Sequence, residues 1–317
     1  MGELRKDYIL NRWVIIASER MKRPHEFKIK DTAKQKGVCY FCPGNEDKTP
    51  KEIYRLSDKK GNWKIRVFPN KFPAETLEGQ YDIHTHNKYF TFSSSYGDHE
   101  IIAETPDHDK QLWDLSQSQV VDLLKVYQLR ITELEKIPHV KYATVFKNHG
   151  KKAGTSLVHS HSQIIASNIV NQNVAAEVEA AERYYDSCPY CEIVSIEKTS
   201  DRRCFENDSF AAFCPYAAQF NFEVWIFPKK HICRLSELDN KEYKDLAEIM
   251  LKILRKLKEL NVSYNYFLHY SPAGENLHFH IEVAPRISIR AGFEFSSDIV
   301  ITIVSPEDAA KFYRGET

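Results

Sequence analysis

Two stretches of the chain place apolar residues at helical spacing, and the same sequence of elements follows each. In the first, Val120, Leu123, Leu124, Tyr127, Ile131 and Leu134 fall on one helical face. Ser116 with Gln119 forms a capping box ahead of this stripe, and Pro138 marks its end. Residues 141–146 then read as a strand, a Gly-containing loop follows, and a second strand carries His159-Ser-His161-Ser-Gln163 into Ile164 and Ile165. In the second stretch Asp239 with Glu242 caps a stripe of Leu246, Ile249, Met250, Ile253, Leu254 and Leu257. A strand over 264–270, a loop over 271–276 and a strand over 278–283 complete the copy. Strands, helix, strand, strand, twice over, predict an α+β fold of two tandem domains, each a mainly antiparallel sheet with one long helix. The polar run 168–173 and a connecting helix over 175–185 put the junction between them, giving domains 1–172 and 173–317.

Composition narrows the class. The 317 residues are 42% hydrophobic and 28% charged, ordinary for a soluble globular protein. The 44 basic and 44 acidic side chains cancel, so no general attraction to nucleic acid is expected. No apolar run approaches the ~20 residues of a membrane span, and the polar residues 1–7 do not resemble a signal peptide. The expected location is the cytoplasm. There paired cysteines read as metal or redox centres rather than disulfides.

Four of the seven Cys stand as Cys39-x-x-Cys42 and Cys188-x-x-Cys191. Each pair is followed by a lone His and then by His-x-His: His108 with His159, and His231 with His278. The lone His precedes the pair by 51 residues in the first half and 47 in the second. Neither Cys pair adjoins an evident strand-to-helix start, which counts against a thioredoxin-like reading. Two thiolates and two imidazoles suit tetrahedral Zn²⁺, and four protein ligands leave no open position. Two structural zinc sites are therefore expected, Cys39, Cys42, His108, His159 and Cys188, Cys191, His231, His278. The competing reading is free Cys and ordinary His. Cys204, Cys214 and Cys233 read as small buried apolar residues, and His25, His84, His86, His139 and His269 as ordinary exposed or core His.

On a strand, His159, His161 and Gln163 share one face. With His159 tied to metal, His161 is positioned but free, and a neutral imidazole is a competent nucleophile. Gly154-Thr155-Ser156 just upstream offers backbone N–H groups and hydroxyls to phosphate oxygens. The basic run 147–152 reads as a solvated turn or an anion-facing loop. Gln163 can donate an amide N–H but cannot shuttle a proton, which favours transfer between phosphate leaving groups over hydrolysis. In the second half His280 and Glu282 take these places, and a carboxylate there would repel phosphate. That copy reads as keeping a metal and lacking the reaction.

With these residues in place, the chain resembles the galactose-1-phosphate uridylyltransferase branch of the histidine triad superfamily, over nearly all its length. The matching segments are Asn11-Arg-Trp-Val-Ile-Ile16, Glu19-Arg-Met-Lys-Arg-Pro24, Cys39-Tyr-Phe-Cys-Pro-Gly-Asn-Glu46, Val67-Phe-Pro-Asn-Lys-Phe-Pro73, Pro106-Asp-His108, Asn148-His-Gly-Lys-Lys-Ala-Gly-Thr-Ser156, Arg290-Ala-Gly-Phe-Glu294 and Pro306-Glu-Asp-Ala-Ala310. The resemblance implies two histidine-triad-like domains and a ping-pong mechanism through a nucleotidyl-His161 intermediate. It implies that Ser156 and Gln163 hold the phosphoryl oxygens, that Arg20, Arg23 and Asn70 bind nucleotide or phosphate with Asn148 nearby, and that Glu294 binds the hexose of a neighbouring subunit in a homodimer. Ser160 departs from the family's His-Pro-His, and Ser288 stands where the family has a basic residue, with Arg290 close by. His-Ser-His-Ser-Gln with two zinc sites is also typical of the related ADP-glucose phosphorylases.

Three functions follow. The leading expectation is uridylyl transfer from UDP-glucose to galactose 1-phosphate. The first alternative is adenylyl transfer from ADP-glucose to inorganic phosphate by the same His161 chemistry. The second is a non-catalytic, zinc-stabilised nucleotide-binding module. A zinc-ribbon nucleic-acid binder is disfavoured by the neutral charge and wide Cys-to-His spacing, and a dinucleotide hydrolase by Gln163.

Overall fold

The computed structural model describes residues 2–20, 37–184 and 187–316. The first half contributes strands β1 (Glu3–Lys6), β2 (Trp13–Ile16), β3 (Tyr54–Ser57), β4 (Trp63–Pro69), β5 (His84–His86), β6 (Phe90–Phe92), β7 (Gly97–Ala103), β8 (Tyr142–His149) and β9 (His161–Ser167). The second half contributes β10 (Arg203–Glu206), β11 (Phe210–Phe213), β12 (Val224–Pro228), β13 (Tyr264–His269), β14 (His280–Pro285) and β15 (Val300–Thr302). The helices are α1 (Gln117–Leu134), α2 (Gln172–Glu182), α3 (Pro189–Glu197), α4 (Asn240–Leu260), α5 (Gly292–Ser297) and α6 (Pro306–Arg314). The fold is α+β, as the periodicity predicts.

Both expected capping boxes are present. The Ser116 hydroxyl accepts from the Gln119 N–H at the start of α1, and the Asp239 carboxylate from the Glu242 N–H at the start of α4. The His-x-His strands begin two residues later than drawn, at His161 and His280, so His159 and His278 sit just ahead of the ladders.

The two halves are joined more closely than a tandem arrangement suggests. One ten-stranded sheet runs β10-β11-β12-β14-β13-β8-β9-β7-β4-β3. Its seam is the antiparallel pair β8–β13, with Phe146 opposite Phe267 and Asn148 opposite Asn265. A single apolar core extends across the seam under α1 and α4, from Ile65 and Val145 to Leu254 and Tyr313. The junction drawn at 172/173 falls where α2 starts, on the helix Gln172–Glu182. A second, smaller cluster of Phe41, Trp63, Phe68 and Ile101 covers the first Cys pair on the other side of the sheet.

Alternation along β9 decides which side each residue serves. Ser162, Ile164 and Ala166 face the helices, where Tyr127 donates to the Ser162 hydroxyl at 2.7 Å. His161 and Gln163 face the opposite side with Ile101, which pairs with Gln163. Because the sheet is continuous, one row of side chains runs Gln163, Phe146, Phe267, Glu282, Trp225 through both halves.

Leu254 on α4 is 1% exposed within the shared core. Leu254→Ala is expected to cost about 2–5 kcal/mol, read by urea denaturation. Tryptophan fluorescence (Trp13, Trp63 and Trp113 in one half, Trp225 in the other) and far-UV CD should report one coincident transition, since the sheet and core cross the seam. Separated transitions would show that the halves unfold independently.

Candidate active site and metal-ligand sets

The two Cys₂His₂ sets assemble as the spacing predicts. Within each, one donor atom per residue lies within 4.8 Å of all the others. In the first, Cys39 Sγ is 3.5 Å from His159 Nδ1, and Cys42 Sγ is 3.3 Å from His108 Nδ1 and 3.6 Å from His159 Nδ1. In the second, Cys188 Sγ is 3.8 Å from His278 Nδ1, and Cys191 Sγ is 3.6 Å from His231 Nδ1 and 3.5 Å from His278 Nδ1. Zn–S bonds of about 2.3 Å and Zn–N bonds of about 2.0–2.1 Å place sulfur and nitrogen of one tetrahedron about 3.6 Å apart. The donor sets therefore fit a zinc ion.

The rings are also oriented for it. His159 Nε2 donates to the Thr105 carbonyl at 2.7 Å, His278 Nε2 to the Pro228 carbonyl at 3.1 Å, and His231 Nε2 to Asn276 Oδ1 at 2.7 Å. Each bond leaves Nδ1 bare toward the sulfurs, the arrangement that metal-binding imidazoles need. The second Cys pair does sit at a helix start: Cys188 caps α3, with Pro189 at its first position. Two imidazoles within reach of its thiols distinguish it from a dithiol redox centre.

A third set was not anticipated. Glu177, His269, His280 and Glu282 are all buried, with donor atoms again within 4.8 Å of one another. His269, expected to be ordinary, has Nδ1 2.9 Å from a Glu177 carboxylate oxygen. Burial lowers its pKa, but Glu177 and then Glu282 outweigh this and carry it up to about 9. His280 Nε2 is buried without a hydrogen-bond partner. This group could hold a cation, and its signal was faint because Glu177 and His269 lie 92 residues apart.

The predicted nucleophile lies beside the first set. His161 is 5% exposed, with its ring 5.5 Å edge-on from Phe41. Its Nδ1–H donates to the His159 carbonyl at 2.8 Å, so Nε2 carries the free lone pair. Burial, then the Lys147 ammonium, hold its pKa down to about 4, so it is neutral at pH 7.

That lysine corrects the sequence reading. Lys147 belongs to β8 rather than to a loop and is 1% exposed. It bonds Glu104 at 2.6 Å, the Ser160 hydroxyl at 3.1 Å and the His161 carbonyl at 3.0 Å. Ser160 also donates to Glu104. Ser160, where the resemblance implies a proline, is thus part of a buried polar network that braces the His-x-His backbone, a role proline has no hydroxyl to fill.

The flanking loop is built as a cradle. Residues 151–153 form one turn that Gly154 closes at φ 86°, a conformation that favours glycine. The Thr155 hydroxyl donates to the Asn148 carbonyl at 2.9 Å. Asn265 donates to Asn148 Oδ1 at 2.8 Å, which turns the Asn148 amide N–H bonds away from it. A cavity of ≈ 570 Å³ is lined by Asn148, Gly150, Thr155, Ser156 and His161. Asn70 lies on the Gln163 side, its amide nitrogen 3.2 Å from His99 Nε2.

Among the described residues, one predicted contact, Glu294, is not brought there. Arg20 ends a short 3-10 turn (Ser18–Arg20), and Arg23, like His25, lies outside the described residues. Glu294 is on the exposed α5, its carboxylate accepting from the Ala291 N–H, and does not line the His161 cavity. Two contributors escaped the sequence reading, Lys147 because a lysine in a polar run looks solvated, and His99 because nothing in its neighbours marks it.

With this geometry in view, the comparisons are specific. The model for the galactose-1-phosphate uridyl transferase N-terminal domain matches residues 2–171. This chain belongs to the galactose-1-phosphate uridylyltransferase family. A model for a domain of unknown function (DUF4921) matches residues 109–312. Among relatives, ADP-glucose phosphorylase of Arabidopsis thaliana is 35% identical over 98% of this chain and 92% of its own length. Galactose-1-phosphate uridylyltransferase of Thermotoga maritima is 27% identical over 99% and 98%. The crystal structure of the Arabidopsis phosphorylase with bound ADP-glucose superimposes with a TM-score of 0.85, covering 99% of each chain at 33% identity. Among the described residues no helix is long and apolar enough to cross a membrane.

Burial and the neighbouring thiol push Cys42 up to about 11, and burial with Cys188 pushes Cys191 up to about 12. Without a cation these thiols are protonated at pH 7. Zinc added to the reduced, metal-free protein is therefore expected to displace about two protons per Cys₂His₂ set, measured by pH-stat titration. Zinc uptake with no proton release would show that the thiols are not its ligands.

Proposed function

We propose that this protein moves a nucleotidyl group from a nucleoside diphosphate sugar to a phosphate acceptor through a covalent adduct on His161. The observation that carries the reading is the His161 ring: buried, neutral, its Nδ1–H fixed on the His159 carbonyl, and its Nε2 lone pair free beside a cavity of ≈ 570 Å³. In the first half-reaction the Nε2 lone pair attacks the α-phosphorus. An N–P bond forms, the bridging P–O bond breaks, and its electron pair leaves on sugar 1-phosphate, which needs little protonation to depart. In the second, a phosphate oxygen of the acceptor attacks the same phosphorus and the N–P electrons return to Nε2. Gln163 and Ser156 donate to the phosphoryl oxygens. Asn148, Asn70 and the N–H groups around Gly154 and Thr155 hold the flanking phosphates, with Arg20 and Arg23 completing the nucleotide site.

The preferred donor is ADP-glucose, with inorganic phosphate as acceptor. Support comes from the greater identity to the Arabidopsis phosphorylase, 35% against 27% for the Thermotoga transferase, and from the His-Ser-His-Ser-Gln run with two Cys₂His₂ sets, which the resemblance gives as typical of that branch. UDP-glucose with galactose 1-phosphate is the second reading, favoured by the family match over residues 2–171. Zn²⁺ in both Cys₂His₂ sets would hold the two Cys segments against the His-x-His strands, and Zn²⁺ stays out of the reaction. The exposure of Glu294, away from its own His161, supports a homodimer in which it reaches the neighbour's hexose.

Brief incubation with ADP-glucose or UDP-glucose, an alkaline quench and intact-protein mass measurement test the donor. An adenylyl adduct with ADP-glucose, absent in His161→Ala, is expected. A uridylyl adduct alone would select the second reading, and no adduct from folded, zinc-loaded protein would leave the binding-module reading.

The low pKa of His161 has its own signature. The kcat/KM for adduct formation is expected to hold level from pH 8 to about pH 5 and to fall near pH 4, where an ordinary His would lose half its rate near ~6.5. An acid limb centred near 6.5 would contradict the buried, neutral ring.

A further inference from the structure

Gln163 must present N–H, and not oxygen, to the phosphoryl group, yet a primary amide fits its pocket either way round with almost the same shape. The structure holds an element that decides the matter. His99 lies on β7, on the same sheet face as Ile101 and Gln163, and is 6% exposed. The backbone N–H of Ala74 points at its Nδ1 at 3.1 Å. A backbone N–H can only donate, so Nδ1 carries a lone pair and the single proton of a neutral imidazole sits on Nε2. Nε2 is 2.8 Å from Gln163 Oε1; the Asn70 amide nitrogen, 3.2 Å from Nε2 and 3.5 Å from Nδ1, is itself a donor and so makes no hydrogen bond to the protonated Nε2. An N–H there requires the amide oxygen opposite, so both Gln163 N–H bonds are directed away from His99. Burial favours the neutral ring, and a second ring proton would set N–H against the Ala74 N–H. The backbone of the same segment is tied in: the Asn70 N–H donates to the His99 carbonyl at 2.7 Å.

We propose that His99 is a positioning residue, which through its Ala74-imposed tautomer locks the Gln163 amide with its N–H edge toward the phosphoryl group on His161. The inference rests on the reading of His161 as the nucleotidyl carrier. The chain of command is short: a main-chain N–H fixes a ring proton, the ring proton fixes an amide, and the amide supplies the hydrogen bond that strengthens as negative charge builds on the phosphoryl oxygens. Asn148 is turned in the same manner by Asn265, so two neutral amides at the site have their oxygens occupied by protein donors and their N–H edges left over.

The test separates orientation from packing by comparing two side chains of one size. His99→Gln keeps one acceptor for Ala74 and one donor for Gln163. His99→Glu, when ionised, offers acceptors only, so the Gln163 amide turns its N–H bonds toward it and its oxygen toward the phosphate. The readout is the rate constant for adduct formation at saturating donor, after zinc content and thermal melts show each variant folded. His99→Gln is expected to stay within about tenfold of the parent, and His99→Glu to be at least ~10²-fold slower, the usual cost of one lost oxyanion donor. KM should move less than this rate, and in a Gln163→Ala background the two variants should become equal. Rates for Gln and Glu within about threefold of each other, or the same gap persisting without Gln163, would overturn the proposal. A second measurement needs neither a variant nor turnover. The ¹⁵N spectrum of His99 in the resting protein at pH 7 should show a bare Nδ1 and a protonated Nε2. An Nδ1–H tautomer or an imidazolium would refute the lock even if the parent formed no adduct, whereas a missing adduct with the expected tautomer would fault the His161 reading alone.

Discussion

The arrangement around the site depends on one hydrogen bond, from His161 Nδ1–H to the carbonyl of His159, two residues back and just ahead of the strand. It fixes the tautomer that leaves Nε2 bare, and it works only if the His159 backbone cannot move. The His159 ring is held between the Cys39 and Cys42 sulfurs and the Thr105 carbonyl. Lys147 donates to the His161 carbonyl from the other side of the sheet. A metal-ligand set distant from the reacting atom and a buried lysine thus serve one end, a stationary strand. The cost of burying Lys147 is offset by Glu104, whose carboxylate also accepts from Ser160, so the charge is paired and hydrogen-bonded.

The second copy repeats this bond and does not repeat its surroundings. His280 Nδ1 lies 3.0 Å from the His278 carbonyl, as in the first half. There the free nitrogen lies 3.8 Å from a Glu177 carboxylate oxygen and 3.7 Å from one of Glu282, where the first half has a cradle and a cavity. Two carboxylates in place of Gln163 and its amide neighbours make that spot hospitable to a proton or a cation and hostile to a phosphate. The same backbone device therefore holds a potential nucleophile in one half and an internal ion-pair cluster in the other, and the difference lies in a few side chains along one row of a shared sheet.

That sharing bears on how the protein could have kept both copies. Asn265 belongs to the second half, yet its amide orients Asn148 and bonds the Ala153 carbonyl beneath the first-half cradle. Tyr266 of the second half meets Tyr127 of the first at 2.5 Å under the His161 strand. The copy that has no cradle of its own helps to support the other's.

The sequence by itself determined the elements and the metal-ligand sets. Helices α1 and α4, their capping boxes, the His-x-His strands and both Cys₂His₂ groups were legible because each depends on local periodicity or on residue types whose chemistry admits few uses. It also singled out His161 and Gln163, since strand alternation puts i and i+2 on one face wherever the strand lies. Only the tertiary structure decided the rest. The fusion of two units into one ten-stranded sheet depends on the β8–β13 pairing, which no local pattern encodes. Lys147 looked solvated until its strand was placed between Glu104 and Ser160, and Glu177, His269, His280 and Glu282 became a cluster only when three segments met. The roles of His99 and Asn265 are set by proton positions on facing partners. Periodicity reports which face a side chain takes, whereas a hydrogen bond between residues 64 apart, such as His99 to Gln163, exists only once the chain has brought donor and acceptor within 3 Å.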